Sequence, residues 1–212
     1  MALAALRQRL GFRMPTFEVP EISNWDLAIV VTLFSAWSLI SNVGRLIGLS
    51  PVLLIAGISV LLSVAGLRQW CSCPALRALG WTIPSLRFLV IAIISGLAAA
   101  FAVALVARAA GISIIRDPAA TAVLTVTIGP IVEELFFRGF LQPCLAAITG
   151  AIPAVIVTAI FFAAIHGPAT LLQFSCFTIT GAAYGLLRLR SGSVAASTLM
   201  HSTYNFALTF VG

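Results

Sequence analysis

Residues 88–107 read FLVIAIISGLAAAFAVALVA, an uninterrupted apolar run of the length that crosses a bilayer as a helix. The whole chain has the same character, with 61% hydrophobic residues, 8% charged residues and a mean hydropathy of +1.13. A soluble domain carries about 25% charged residues, so this chain lacks the polar side chains to cover a water-facing surface. The composition excludes a soluble enzyme, a disordered segment and a secreted disulfide scaffold, and it predicts an integral membrane protein.

Similar apolar runs recur along the 212 residues and predict an all-α, polytopic transmembrane helical bundle of about seven spans. The predicted spans are 25–44, 51–67, 88–107, 118–147, 151–166, 169–187 and 193–211. We expect a basic interfacial segment over residues 1–24, followed by a single transmembrane domain over residues 25–212. Gly167-Pro168 predicts the end of a helix after His166, and Gly181-x-x-x-Gly185 predicts that a neighbouring helix approaches the sixth span closely.

The charge distribution indicates a lipid environment. All 12 basic residues are arginines, and they are scattered singly between apolar runs. This pattern is not that of a nucleic-acid binder, whose charge clusters on one face, and it fits contact with lipid head groups. More arginines lie at the predicted inner ends of the spans than at the outer ends, which predicts a cytoplasmic N-terminus. The absence of lysine and the abundance of alanine are typical of a GC-rich genome, so we expect a bacterial cell membrane.

Three charged residues fall inside the predicted span 118–147: Glu133, Glu134 and Arg138. Each charge at the bilayer centre costs about 2.5–3.5 kcal/mol, so these side chains must face the protein interior and be partnered. Glu134 and Arg138 are four residues apart on one helical face, which predicts a structural ion pair. Glu133 points about 100° away from Glu134 around the helix axis and has no counter-ion on its own helix, so it is the candidate catalytic carboxylate. The alternative is that all three form a buried salt-bridge cluster with a structural role alone.

The two histidines of the chain, His166 and His201, also fall in or beside apolar spans. Glu133 and His166 are equally far from the turn near 149–150, so an antiparallel hairpin holds them at similar depth. His201 and Asn205 are four residues apart on one face of the last span. This set has the parts for hydrolysis: Glu133 as general base, with His166 orienting the water, and His201 and Asn205 as donors to the oxyanion.

The same donor types also suit zinc, so two mechanisms remain open. A metal-dependent site would use Glu133, His166 and His201 as ligands. The chain contains no His-Glu-x-x-His element, and metal ligation by His201 would remove the best oxyanion donor. We therefore favour a glutamate-type mechanism with no cofactor, and zinc is the alternative.

Three motifs occur in order along the chain: Glu133-Glu134-x-x-x-Arg138, Phe162-x-x-x-His166 and His201-x-x-x-Asn205. Together they resemble the motifs of the CAAX-protease and bacteriocin-processing (CPBP) family, which contains the type II CAAX prenyl endopeptidases and the Abi proteins. The resemblance lies within residues 118–212. It implies a helical intramembrane endopeptidase that acts on a prenylated or membrane-associated peptide or protein. The site positions that it implies are Glu133, Glu134, Arg138, His166, His201 and Asn205.

Two other functions use the same buried polar residues. A proton-coupled transporter or channel would carry polar side chains at several depths and often an internal repeat, whereas this chain shows one polar cluster and no repeat. A catalytically inactive membrane scaffold would not need a full set of motif residues. The bilayer and a peptide substrate are the partners that we expect, and nucleic acid is not among them.

Overall fold

A computed structural model describes residues 79–112 and 122–211, so the predicted segment 1–24 and the predicted spans 25–44 and 51–67 lie outside the described residues. The described residues form helices and no strand, which confirms the all-α prediction for them. The number of spans stays a prediction. The elements are α1 (Leu86–Ala109), π1 (Leu124–Ile128), α2 (Gly129–Glu134), π2 (Leu135–Leu141), α3 (Gln142–Thr149), α4 (Ala151–Ile165), α5 (Leu171–Ser191) and α6 (Val194–Val211).

Helix α1 contains the apolar run that dominates the sequence. It is the one helix among the described residues that is long and apolar enough to cross a membrane. Its buried residues are all small: Ala92, Gly96 and Ala100. Large apolar side chains such as Leu97 and Phe101 are exposed on its other faces. An apolar surface of this extent is unfavourable in water and suits contact with lipid.

The small residues of α1 lie against α6. A Cβ atom added to Gly96 would lie 2.6 Å from the carbonyl oxygen of Met200 and 2.9 Å from Cβ of Thr203. Both distances are below van der Waals contact, so the two backbones approach as closely as they do because position 96 has no side chain. This contact supports α6 immediately beside His201.

We expect Gly96→Ala to destabilise the protein by about 1–3 kcal/mol, because the atom that the new methyl group meets is backbone and cannot rotate away. The measurement is thermal unfolding of the purified protein in detergent micelles. Leu97→Ala is the matched control, since this neighbouring side chain is exposed and should matter by only about 0.5 kcal/mol. Equal unfolding temperatures for Gly96→Ala and the wild type would contradict the close α1–α6 contact.

The chain from Leu124 to Thr149 is a continuous helical run in which π-helical segments alternate with α-helical ones. Each π segment ends two residues before a proline, π1 before Pro130 and π2 before Pro143. Proline has no N–H and its ring clashes with the carbonyl four residues earlier, and the wider π turn accommodates both effects. From the sequence, Pro130 fits a kink and a proline tolerated in a straight membrane helix equally well, and the structure has wide turns at both prolines.

The remaining helices fold back around this run. Gly150, at φ +87°, joins α3 to α4, and α4 packs along α5. A Cβ atom on Gly181 would lie 3.1 Å from Cδ1 of Phe162, and one on Gly185 would lie 2.9 Å from Oε1 of Gln142. The predicted close approach at Gly181-x-x-x-Gly185 is therefore confirmed. It brings α5 against both α4 and the Leu124–Thr149 run.

Candidate active site

The two adjacent glutamates at the end of α2 lie in different surroundings. Glu134 is fully buried, and its Oε1 accepts a 2.8 Å hydrogen bond from Nη1 of Arg138, one turn later. The other guanidinium nitrogen, Nη2, donates to the carbonyl oxygen of Gly181 at 2.7 Å. The guanidinium carbon lies 4.6 Å from the ring centre of Phe162, within the range of a cation–π contact. The charge of Arg138 is thus matched by a carboxylate, a carbonyl and an aromatic face.

Glu134 also contacts the histidine of α6. Nδ1 of His201 lies 3.1 Å from Oε1 of Glu134. A carboxylate that is paired with arginine can only accept, so Nδ1 carries the proton of this bond. Nε2 of His201 then faces Glu133, 4.0 Å from its Oε2. The sequence assigned Glu134 to Arg138 alone, whereas in the structure this carboxylate joins the arginine to the histidine.

His166 approaches Glu133 from a second helix. It is the C-cap residue of α4, which ends because Gly167 adopts φ +58°, as Gly167-Pro168 predicts. Nδ1 of His166 lies 2.7 Å from the carbonyl oxygen of Phe162, which can only accept, so Nδ1 is the donor. Nε2 of His166 is 3.7 Å from Oε2 of Glu133. The His166 side chain is 24% exposed, which makes it the more open of the two imidazoles.

Three atoms thus converge: Oε2 of Glu133 and the Nε2 atoms of His166 and His201. The separations of 3.7 and 4.0 Å exceed a direct hydrogen bond of about 2.7–3.2 Å. Oε2 of Glu133 is buried and has no hydrogen-bond partner within the described part of the chain. A water molecule about 2.8 Å from each partner bridges atoms up to roughly 5 Å apart. The arrangement is suited to holding one water between the carboxylate and the imidazoles.

A zinc ion would require the same three atoms to lie closer to one another. Tetrahedral ligands at about 2.0–2.1 Å from zinc lie about 3.3 Å from one another, which is shorter than both separations here. Among residues 79–112 and 122–211, no group of three or more His, Cys, Asp or Glu side chains is arranged to hold a metal ion. A metal-bound form would need Glu133 to move closer to both imidazoles.

Asn205 of α6 is held by the π1 segment. Its Nδ2 donates to the carbonyl oxygen of Thr125 at 2.9 Å. In π-helical spacing a carbonyl pairs with the N–H five residues later, which for Thr125 is Pro130, and proline has no N–H. The amide of Asn205 therefore donates a hydrogen bond to a carbonyl oxygen to which Pro130 cannot donate. Its second N–H is not used by this bond.

Two aromatic residues of α5 complete the surroundings of the imidazoles, and sequence reasoning did not single them out. The ring of Phe177 stacks on His166, and the ring of Tyr184 stacks on His201. Phe177 carries no signal that separates it from other apolar residues of the span. Tyr184 is one of only two tyrosines in the chain, and a polar-tipped ring inside an apolar span is the clue that was available.

Part of the chain matches a known protein family. Residues 114–207 match the family model described as "Type II CAAX prenyl endopeptidase Rce1-like". This region includes all three motifs, so the family resemblance stated from the motifs is confirmed. The family is one of membrane-embedded proteases, and its model covers a little under half of the 212 residues of this chain. Comparisons with curated proteins and with solved structures found no match.

Proposed function

Because residues 114–207 match the type II CAAX prenyl endopeptidase family, we propose that this chain is an intramembrane endopeptidase that hydrolyses a peptide bond near the membrane surface. The observation that carries the proposal is the approach of two imidazole Nε2 atoms to the same carboxylate oxygen of Glu133, at 3.7 and 4.0 Å. In this proposal Glu133, His166, His201 and Asn205 are the catalytic residues. Glu134 and Arg138 support them as a buried ion pair.

The net charge of this cluster bears on how many protons it holds in the proposed mechanism. Two glutamates and one arginine leave a net charge of −1, and a net charge in a buried, lipid-surrounded site is costly. One additional proton makes the cluster neutral. If His201 holds it, Nδ1–H donates to Glu134 and Nε2–H becomes a second donor. His166 then stays neutral with a lone pair on Nε2, and Glu133 stays ionised, so both can accept protons from water.

Hydrolysis follows from this distribution of donors and acceptors. The water donates one hydrogen to Oε2 of Glu133 and the other to Nε2 of His166, and its oxygen attacks the carbonyl carbon of the substrate. As the new C–O bond forms, the water proton passes to Glu133, and the carbonyl electron pair moves to the oxygen. The resulting oxyanion accepts from Nε2–H of His201 and from the second N–H of Asn205.

Collapse of the tetrahedral intermediate completes the reaction. The C–N bond breaks, its electron pair stays on nitrogen, and the proton held by Glu133 transfers to the leaving amine. The products are one new carboxyl terminus and one new amino terminus, and Glu133 returns to its ionised form. No oxidant, reductant or further reactant is needed. Because His166 is the more exposed imidazole and lies at the end of α4, we propose that the substrate enters beside the α4–α5 connection.

The substrate and setting are proposed as follows. The substrate is a peptide or protein that is prenylated or otherwise membrane-associated, since the site lies among apolar helices. The chain has about seven spans, with a single transmembrane domain over residues 25–212 preceded by an interfacial segment over residues 1–24. It is proposed to lie in a bacterial cell membrane with a cytoplasmic N-terminus.

The test is mass spectrometry of new peptide termini in membranes from cells that produce either the wild type or Glu133→Gln. Termini that appear with the wild type and are missing with the variant identify the substrate. The two proteins must be present at equal levels, which immunoblotting checks. Identical termini in both samples would contradict the assignment, and ion or solute flux in reconstituted vesicles without cleavage would favour a transporter.

The mechanism also predicts independence from zinc. We expect purified protein that has been dialysed against a chelator to keep its cleavage rate within about twofold, because Glu133 and not a metal removes the proton from water. Metal content is measured on the same sample by plasma mass spectrometry. Loss of turnover on chelation, followed by recovery on adding zinc alone, would contradict the metal-free mechanism and favour the zinc alternative with Glu133, His166 and His201 as ligands.

A further inference from the structure

Helix α5 presents two aromatic rings toward the site, those of Phe177 and Tyr184. They are seven residues apart, close to two α-helical turns, so they lie on the same face about 10 Å apart along the axis. The ring centre of Phe177 is 4.7 Å from that of His166, with an angle of 28° between the planes. Tyr184 and His201 are 4.6 Å apart at 18°. Each imidazole of the site is therefore stacked on a ring from the same helix.

A third ring fills the space between the two imidazoles. Phe162 has its ring centre 4.4 Å from His166 and 5.6 Å from His201, and it meets Tyr184 edge-on at 6.1 Å. Gly181, between Phe177 and Tyr184 on α5, leaves room for it, because a Cβ there would contact Phe162 at 3.1 Å. The absence of a side chain at position 181 is what lets α5 bring both stacking rings to the imidazoles.

Each imidazole makes a hydrogen bond through Nδ1. His166 is held at Nδ1 by the carbonyl of Phe162, and His201 is held at Nδ1 by Glu134. A hydrogen bond at Nδ1 does not by itself set the plane of a ring, and a tilt about that bond would move the opposite nitrogen, Nε2, away from Glu133. A stacked neighbour fixes the plane of the ring, and offset stacking is a favoured arrangement for two aromatic groups.

We propose that Phe177 and Tyr184 are positioning residues that keep Nε2 of His166 and Nε2 of His201 directed at Glu133. The tyrosine acts through its ring, because its hydroxyl is buried and has no hydrogen-bond partner within the described residues. The effect on ring orientation depends on geometry alone. The consequence for catalysis rests on the endopeptidase function proposed above.

The first test observes the rings directly. The chain has two histidines, so ¹⁵N-histidine labelling of the full-length protein in lipid nanodiscs reports only the two site imidazoles. We expect one defined set of ring signals for each histidine in the wild type. Tyr184→Leu should broaden or split the His201 set and leave the His166 set unchanged, and Phe177→Leu should do the reverse. Tyr184→Phe keeps the ring and should keep both sets.

The second test measures cleavage. We expect Tyr184→Leu to lower kcat by about 10–100-fold while KM changes little, because small misplacements of catalytic groups cost rates of that order. Tyr184→Phe should restore kcat, which separates the ring from the hydroxyl. A merely structural role would instead lower the amount of folded enzyme and leave the kcat of the folded fraction unchanged.

Phe140→Leu is the matched control. Phe140 is buried in the same apolar cluster as Tyr184, and its ring packs on that of Phe136. It should lower the unfolding temperature while both sets of histidine signals and kcat stay as in the wild type. Unchanged His201 signals in Tyr184→Leu, or disturbed signals in Phe140→Leu, would overturn the proposal. If the wild type cleaves no peptide, the endopeptidase function fails, and the spectra still decide whether the rings are positioned by α5.

Discussion

Replacing Glu133 by glutamine should reduce peptide cleavage by about 10²–10⁴-fold, the range lost when a general base is removed. Glutamine has nearly the shape of glutamate but cannot take a proton from water. Oε2 of Glu133 makes no hydrogen bond to the described residues, so replacing this oxygen breaks none with them. We therefore expect the unfolding temperature of Glu133→Gln to stay close to that of the wild type. Cleavage is measured on the peptide that the comparison of termini identifies.

Glu134→Gln provides the contrast, because the neighbouring carboxylate has two partners. Its Oε1 accepts from Arg138 at 2.8 Å and from His201 at 3.1 Å, and its side chain is fully buried. This variant should lose stability as well as activity. A Glu133→Gln protein that cleaves at the wild-type rate would remove Glu133 from the mechanism. Equal losses of stability in both variants would assign the two glutamates one shared structural role.

The largest effect on stability is expected for Arg138→Met. Methionine has an unbranched apolar side chain, similar in shape to the aliphatic part of arginine. The substitution therefore retains much of the packing and removes the charge that neutralises Glu134. Breaking a buried ion pair by removing one partner costs about 3–5 kcal/mol, because the other charge stays buried without compensation. The bond to the carbonyl of Gly181 and the contact with the ring of Phe162 are lost at the same time. Thermal unfolding in detergent micelles measures the loss.

Two further variants make this measurement specific. Arg190→Met removes a charge from an exposed position on α5 and should change stability by less than about 0.5 kcal/mol. The double variant Glu134→Gln/Arg138→Met removes both charges and should be less destabilised than the sum of the single variants, since neither partner is left alone. A double variant whose loss equals that sum would indicate that the pair is not coupled.

Several features of the fold were predictable because they depend on local sequence. The apolar run at 88–107 predicted α1, which the structure extends to Leu86–Ala109. Gly167-Pro168 predicted the end of α4, because a glycine at positive φ followed by proline cannot continue a helix. The spacing of Gly181 and Gly185 predicted a close helix contact, since the absence of Cβ atoms allows it. Each of these depends on the properties of a few adjacent residues.

Other features depend on which backbone hydrogen bonds form around a proline and on how neighbouring helices pack, and the spacing of residues along one helix does not predict them. An ideal α-helix would leave the carbonyl of Val126 without a partner before Pro130. The π1 segment widens the turn by one residue, and Nδ2 of Asn205 on α6 donates to the carbonyl oxygen of Thr125 within that segment. Whether a proline produces a kink or a π turn depends on the packing around it, and the sequence of one helix does not contain that information.

The sequence by itself determined that this chain is apolar and helical, and that residues 114–207 resemble a family of membrane-embedded proteases, because composition and ordered motifs are properties of the chain alone. It also identified the ionisable residues that a lipid-embedded helix bundle has to keep inside. Only the tertiary structure decided which of these residues contact one another. Oε1 of Glu134 accepts hydrogen bonds from both Arg138 and His201, and Nε2 of each histidine faces Glu133. The physical reason is that hydrogen bonds and ring contacts between helices act over a few ångströms. They are therefore fixed by how α2, α4, α5 and α6 pack, and not by the spacing of residues along any one of them.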